Sequence, residues 1–271
     1  MAARPYAVIY MTLDDNNRVK DLFDATARDW TPASVDHGAR VLYVPLSPDP
    51  EVSRLSASVL SDTERQRADR FITEDGKARF IQRRAFRRYC GALASGPPRH
   101  LSQIIFEETE NGRPYLGDRP DLWFSFSSCR SGFIGAWSLT HAIGIDLDDE
   151  AIDFKVSELA QMYFTGSEIR AVEEAGPSRL QTFLRLWCLK EAALKSIGQG
   201  LPYGLDAFEF DLDGGLRIVN APEEHGGLER FSAYLFDRPD VCAALVTWKR
   251  ESRQMMSGPV LFDEVRGFWS I

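Results

Sequence analysis

The sequence predicts an α+β protein made of two similar α/β halves. Helical stretches followed by runs of short strands occur twice, and the two runs meet near residue 142. Such segregation, in place of strict strand–helix alternation, is the pattern of α+β architectures. The 271 residues are 44% hydrophobic and 11% aromatic, enough apolar material for a sizeable core.

Residues 1–40 mix polar and apolar positions and are set aside as an N-terminal extension. The first half, 41–141, opens on the strand Val41–Pro45 and a proline-rich turn at Pro45, Pro48 and Pro50. Ser61-Asp-Thr-Glu64 has the capping-box spacing of a helix start. The helical pattern runs past Ala68 and Phe71, resumes near Lys77 and extends to Leu93, where Gly96-Pro97-Pro98 breaks it. Strands are expected at 103–107, 122–127 and 133–139, separated by turns at Asn111-Gly112 and Arg130-Ser131-Gly132.

The second half, 142–250, begins with the strand Ala142–Leu147. Helices follow around 156–163, from 165–168, and from about Ser178 to Ile197, where Gly198 and Gly200 close the last one. Strands return at 207–212, 216–219, 231–236 and 241–248. Residues 251–271 form a tail with Phe268 and Trp269.

The net charge of −8 argues against a nucleic-acid or membrane-surface binder. Cys90, Cys129, Cys188 and Cys242 lie far apart, as do His37, His100, His141 and His225, so zinc-finger and disulfide-framework spacings both fail. Free thiols in a reducing compartment are expected. The N-terminus makes a poor signal peptide, since its apolar run stops at Asp14. No run approaches the roughly 18 apolar residues of a membrane span. The expectation is a cytoplasmic monomer.

Three features carry chemistry. Residues 64–88 hold nine basic side chains against four acids, a local net of +5 in an acidic chain. That is either a solvated helix face or a site for a polyanion, and arginine's planar fork suits phosphate oxygens. In Ile143-Gly-Ile-Asp-Leu-Asp148, strand alternation sends the isoleucines and Leu147 to one face and Gly144, Asp146 and Asp148 to the other. Two adjacent carboxylates on a core strand suit a hard cation such as Mg²⁺, which takes one or two of them; the alternative puts both at the strand's wet end. Glu191 falls on the apolar stripe of Leu180, Phe183, Leu184, Trp187 and Leu194, with Lys195 one turn on and Lys190 beside it. A glutamate on an inward face needs a partner, and a simple surface pair with Lys195 does not explain its position. Three carboxylates and a lysine suggest metal-assisted phosphoryl chemistry.

Gly144-Ile-Asp-Leu-Asp148, followed by Trp187-Cys-Leu-Lys-Glu-Ala-Ala-Leu-Lys195, resembles the paired signature of the 4′-phosphopantetheinyl transferases, G-I-D-x-E and W-x-x-K-E-A-x-x-K. Asn111–Leu116 is similar to the family's G-K-P-x-L segment, Phe164–Glu168 to its F-[ST]-x-x-E, and Phe80–Arg84 to its arginine-containing helix. Five segments in family order are far more specific than any one of them. The length resembles the surfactin-synthetase-activating type, which implies a single-chain pseudo-dimer.

The resemblance implies transfer of phosphopantetheine from coenzyme A to a serine of an acyl or peptidyl carrier protein, with Mg²⁺ required and 3′,5′-ADP released. It implies Asp146, Asp148 and Glu191 as metal ligands, and Glu191 or a water on the metal as acceptor of the serine proton. Lys195 would stabilise charge on the pyrophosphate, and Lys190 would help to hold the site. Arg84, Arg113, Ser127 and Ser128 would contact coenzyme A. The family has Glu where this chain has Asp148, and histidine where it has Ser128, with Arg130 nearby to compensate. An inactive scaffold of the same fold is the non-enzyme alternative. A metal-dependent nuclease is the enzyme alternative, against which the Glu191–Lys195 spacing of i+4 speaks.

Overall fold

The computed structural model describes residues 13–35, 38–149, 155–238 and 241–250. They form a mixed α+β protein that divides into two compact units, one of residues 1–27 and 44–105 and the other of residues 28–43 and 106–271. The units therefore follow other lines than the two halves expected to meet at 142. The expected tail, 251–271, lies outside the described residues.

The first unit is helical. Helix α1 (Leu13–Thr26) belongs to it because Asn16, Val19 and Phe23 recur on one helical face and are buried. Phe23 packs on Phe86 and Tyr89, the Tyr89 hydroxyl donates to Asp24, and Asn16 accepts from the Leu101 amide. Part of the supposed extension is thus an integral core helix. Helix α2 (Pro50–Ser58) starts where a proline-rich turn was expected. Pro50 sits in the first turn, where its missing N–H costs nothing, and the Asp49 carboxylate accepts from the Glu51 amide.

Helix α3 (Asp62–Ala68) begins with the expected capping box, Ser61 and Glu64 exchanging side-chain and backbone bonds. Helix α4 (Glu74–Ala94) carries Arg88 inward. Its guanidinium donates to the carbonyls of Leu101, Ser102 and Ile104 and pairs with Glu64 at 2.6 Å. Burial pushes the Glu64 carboxyl up, but the Ser61 amide and the guanidinium outweigh it and hold it below its usual value.

The second unit is built on two small sheets. One orders β1 (Arg28–Asp29), β2 (Arg40–Pro45), β6 (Gly132–Ser138) and β5 (Trp123–Ser128) across its width. The other orders β10 (Phe231–Asp237), β11 (Cys242–Trp248) and β7 (Ala142–Asp148), with Asp146 opposite Ala244 and Asp148 opposite Cys242. Two hairpins, β3 (Phe106–Glu108) with β4 (Pro114–Leu116) and β8 (Glu209–Asp211) with β9 (Arg217–Asn220), complete the strands. Helix α7 (Arg179–Ser196) covers the second sheet, with α5 (Val156–Tyr163) and α6 (Gly166–Glu174) packed on α7, and Gly198 ends α7 at φ 72°.

Strand β7 is buried on both faces. Ile143, Ile145 and Leu147 pack with Trp30, Val41, Ile134 and Leu245, while the opposite face meets α7. The four cysteines are buried and form no disulfide with one another. No described helix is long and apolar enough to cross a membrane.

Candidate active site

Strand β7 and helix α7 approach so closely that position 144 admits only glycine. An ideal Cβ there would lie 1.9 Å from the Ala192 carbonyl oxygen and 2.5 Å from the Ser196 amide nitrogen. With no side chain at 144, the next residues on that face of the strand, Asp146 and Asp148, come under the helix. Lys195 reaches across and donates to Asp146 Oδ1 at 2.5 Å and to the Ile145 carbonyl at 3.3 Å.

Strands β5 and β7 are edges of different sheets that run side by side. An edge strand leaves backbone groups without ladder partners, and buried ones must be satisfied otherwise. Side chains do it here. The Ile145 amide donates to Ser125 Oγ at 3.0 Å, and Lys195 takes the Ile145 carbonyl. Two residues along the same face of β5, Ser127 Oγ donates to Asp146 Oδ1 at 2.8 Å. Seams of this kind place polar groups in a core that would otherwise exclude them.

The electrostatics are those of crowded carboxylates. Burial, then the charge of Asp146, pushes the Asp148 carboxyl up to about 7. Burial likewise pushes Glu191 up to about 7, with Lys195 opposing and Asp146 adding to the rise. The Lys195 ammonium is penalised by burial, yet Asp146 and Glu191 together hold its pKa above the usual value. One ammonium thus faces three carboxyl groups.

Hard oxygen donors of this kind fit Mg²⁺, which keeps most of its waters and takes one or two carboxylates. Among the described residues no three acidic, histidine or cysteine side chains close on one point, so Asp146, Asp148 and Glu191 are not brought together as a ready three-ligand cage. Asp146 and Asp148 are the residues that would hold such an ion, with its other positions left to oxygens from outside the chain.

Lys190 corrects the expectation. One residue before Glu191, it leaves α7 on another side and is fully buried. Its ammonium pairs with Glu168 at 2.7 Å and donates to the carbonyls of Leu205 at 3.0 Å and Phe208 at 2.5 Å. Three donors meet three acceptors, and no donor is left for a coenzyme phosphate. Burial lowers the Lys190 pKa more than Glu168 raises it. Glu168 in turn caps α6 through Thr165 and accepts from the Phe210 amide at 2.9 Å. This closed cluster ties α6, α7 and β8 together. The partner in Phe164–Glu168 was the signal for it, since a buried glutamate needs a cation.

Ser128 lies half-buried at the end of β5, opposite Phe133. The turn that follows is closed by Asp149, whose carboxylate accepts from the Arg130 and Ser131 amides at 3.1 and 2.6 Å. Arg113 stacks on Trp123 with its guanidinium carbon 3.9 Å from the ring centroid, and Arg250 lies 4.9 Å from the same ring. Burial, then the charge of Arg250, lowers the Arg113 pKa to about 10. Arg84 belongs to the helical unit, 5.4 Å over the Phe80 ring and 3.9 Å from Glu64.

Comparison with known proteins gives this arrangement its family. A family model described as the 4′-phosphopantetheinyl transferase superfamily matches residues 142–246. The 4′-phosphopantetheinyl transferase HetI of a Nostoc species is 31% identical over 164 residues, covering 58% of this chain and 68% of HetI. A 4′-phosphopantetheinyl transferase of Bacillus subtilis is 30% identical over 178 residues, covering 65% of this chain and 76% of that protein. The chain belongs to the 4′-phosphopantetheinyl transferase superfamily. A further relative, the transferase psf-1 of Bacillus pumilus, is 32% identical over 40% of this chain and 46% of its own length. The segment matched by the family model contains β7, α7 and most of β11, and so carries Asp146, Asp148, Glu191 and Lys195.

Proposed function

We propose that this transferase moves the 4′-phosphopantetheine group of coenzyme A to a serine of an apo acyl or peptidyl carrier protein. The carrier serine oxygen attacks the phosphorus that bears the pantetheine arm. The pyrophosphate P–O bond breaks, 3′,5′-ADP departs with the bonding pair, and the serine proton passes to a base. The observation that carries this reading is the Lys195–Asp146 pair set beside Asp148 and Glu191 in a buried seam of a chain of this family.

Phosphoryl transfer needs positioning and charge neutralisation more than covalent chemistry. Asp146 and Asp148 would hold Mg²⁺, which when bound neutralises charge on the pyrophosphate oxygens. Lys195 keeps its proton throughout and offers an ammonium to the departing phosphate. Glu191, buried and close to neutrality in its pKa, is suited to take the serine proton. Arg113, stacked on Trp123, holds a guanidinium fork for a coenzyme phosphate. Ser128 replaces a histidine, so one phosphate contact is a neutral hydroxyl.

The decisive experiment incubates the protein with coenzyme A, Mg²⁺ and a panel of apo carrier proteins and weighs the carriers. One phosphopantetheine mass added to a carrier is expected, with Asp146→Asn and Glu191→Gln folded but inactive. No mass gain on any carrier overturns the reading, and full activity in either variant overturns the site.

A further inference from the structure

We propose that Ser127 is a positioning residue that orients the Asp146 carboxylate, in place of the coenzyme contact its motif implies. The inference rests on the metal-assisted reading above. Asp146 is 6% exposed, and its two donors, Ser127 Oγ at 2.8 Å and Lys195 Nζ at 2.5 Å, converge on one oxygen, Oδ1. The terminal torsion of an aspartate is broad and roughly two-fold, so one flexible donor would leave its oxygens free to exchange. Two donors from different elements, a strand of one sheet and a helix packed on the other, hold the plane and decide which oxygen faces where.

The Ser127 hydroxyl is itself placed by the seam. Ser125, two residues earlier on the same face, is fixed by the Ile145 amide at 3.0 Å, which pins β5 against β7 in register. Oδ1 is thereby engaged by protein, and Oδ2 is the oxygen presented to a hard divalent cation. Hydrogen-bonded partners of metal-binding carboxylates set ligand orientation, and their loss costs about 10- to 100-fold in metal affinity.

The test is direct Mn²⁺ binding, read by electron paramagnetic resonance of the free ion, on the full chain without coenzyme or carrier. Ser127→Ala is expected to weaken Mn²⁺ binding about 10-fold or more, while the coenzyme A KM at saturating Mg²⁺ stays unchanged. Ser127→Thr, which keeps the hydroxyl, restores binding, and Ser127→Cys, a weak donor of similar size, lies between. Unchanged Mn²⁺ affinity in Ser127→Ala, or a raised coenzyme A KM with metal binding intact, overturns the inference, as does a parent protein that binds no Mn²⁺. A parent that modifies no carrier yet shows Ser127-dependent Mn²⁺ binding would sink the transferase reading and leave this inference standing.

Discussion

Helix α7 carries two buried lysine–carboxylate pairs five residues apart, and they differ in what surrounds them. Lys190 and Glu168 are 0% and 1% exposed, and the ammonium also meets two backbone carbonyls. Lys195 and Asp146 retain 14% and 9% exposure, and two further carboxyl groups, Asp148 and Glu191, crowd them. The first cluster is balanced and closed. The second sets one ammonium among several carboxyl groups. A balanced pair holds a fold together; an unbalanced one, open to solvent, is where a ligand enters. Residue type does not separate the two, because both are a lysine on an acid.

Exchanging the lysines one at a time tests that contrast most severely. Lys190→Met leaves the Glu168 carboxylate buried without its cation, at an expected cost of about 3–5 kcal/mol. That is a large part of the roughly 5–15 kcal/mol that holds a typical domain together. Lys195→Met is expected to fold and to lose about 10²- to 10³-fold in transfer rate, the usual effect of removing one preorganised charge partner. Urea denaturation and the carrier mass assay read the two losses. A Lys190→Met protein of normal stability but no activity would erase the distinction.

A smaller effect is expected at Gly144, the residue that lets the open pair form. Gly144→Ala places a methyl against the Ala192 carbonyl and should cost about 1–3 kcal/mol or more as α7 is pushed off β7. Because the shift falls between Lys195 and Asp146, transfer should drop further than stability does. If stability falls and the rate per folded molecule does not, the close approach serves packing alone.

The gentlest test is titration. Against the ordinary lysine value of 10.5, Lys190 should lose its proton earlier and Lys195 later, followed by NMR of labelled side chains. The linked stabilities then slope in opposite directions. The Lys195 contribution is complete below 10.5 and is lost as pH rises through its higher folded value. At Lys190 the folded chain releases its proton before the unfolded one, so that term gains with pH until 10.5 is passed. Lysines that titrate in the reverse order would contradict the assignment of the closed and open clusters.

Much of the site was legible in the order of residues. The alternation of Gly144, Asp146 and Asp148 on a strand and the four-residue step from Glu191 to Lys195 are local periodicities, and local periodicity is written in sequence. The capping box at Ser61 was equally plain, since a cap is a contact between residues three apart, and the helix start expected at 165–168 proves to use the same device. Helix α2 was missed because proline signals both turns and helix starts, and the Asp49 cap decides between them. Helix α1 was missed because its polar stretch hides a short stripe that acquires meaning only against Phe86 and Tyr89.

What sequence determined by itself was the α+β class, the order of most elements, and the alternation that puts Gly144, Asp146 and Asp148 on one side of a strand. What only the tertiary structure decided was which lysine faces which acid. Glu168 lies 22 residues from Lys190, and Ser127 lies 19 from Asp146. Neither pairing has a period to betray it. Each follows from how α6 and α7 pack and from two sheet edges meeting at a seam, where orphaned backbone groups had to be met by side chains.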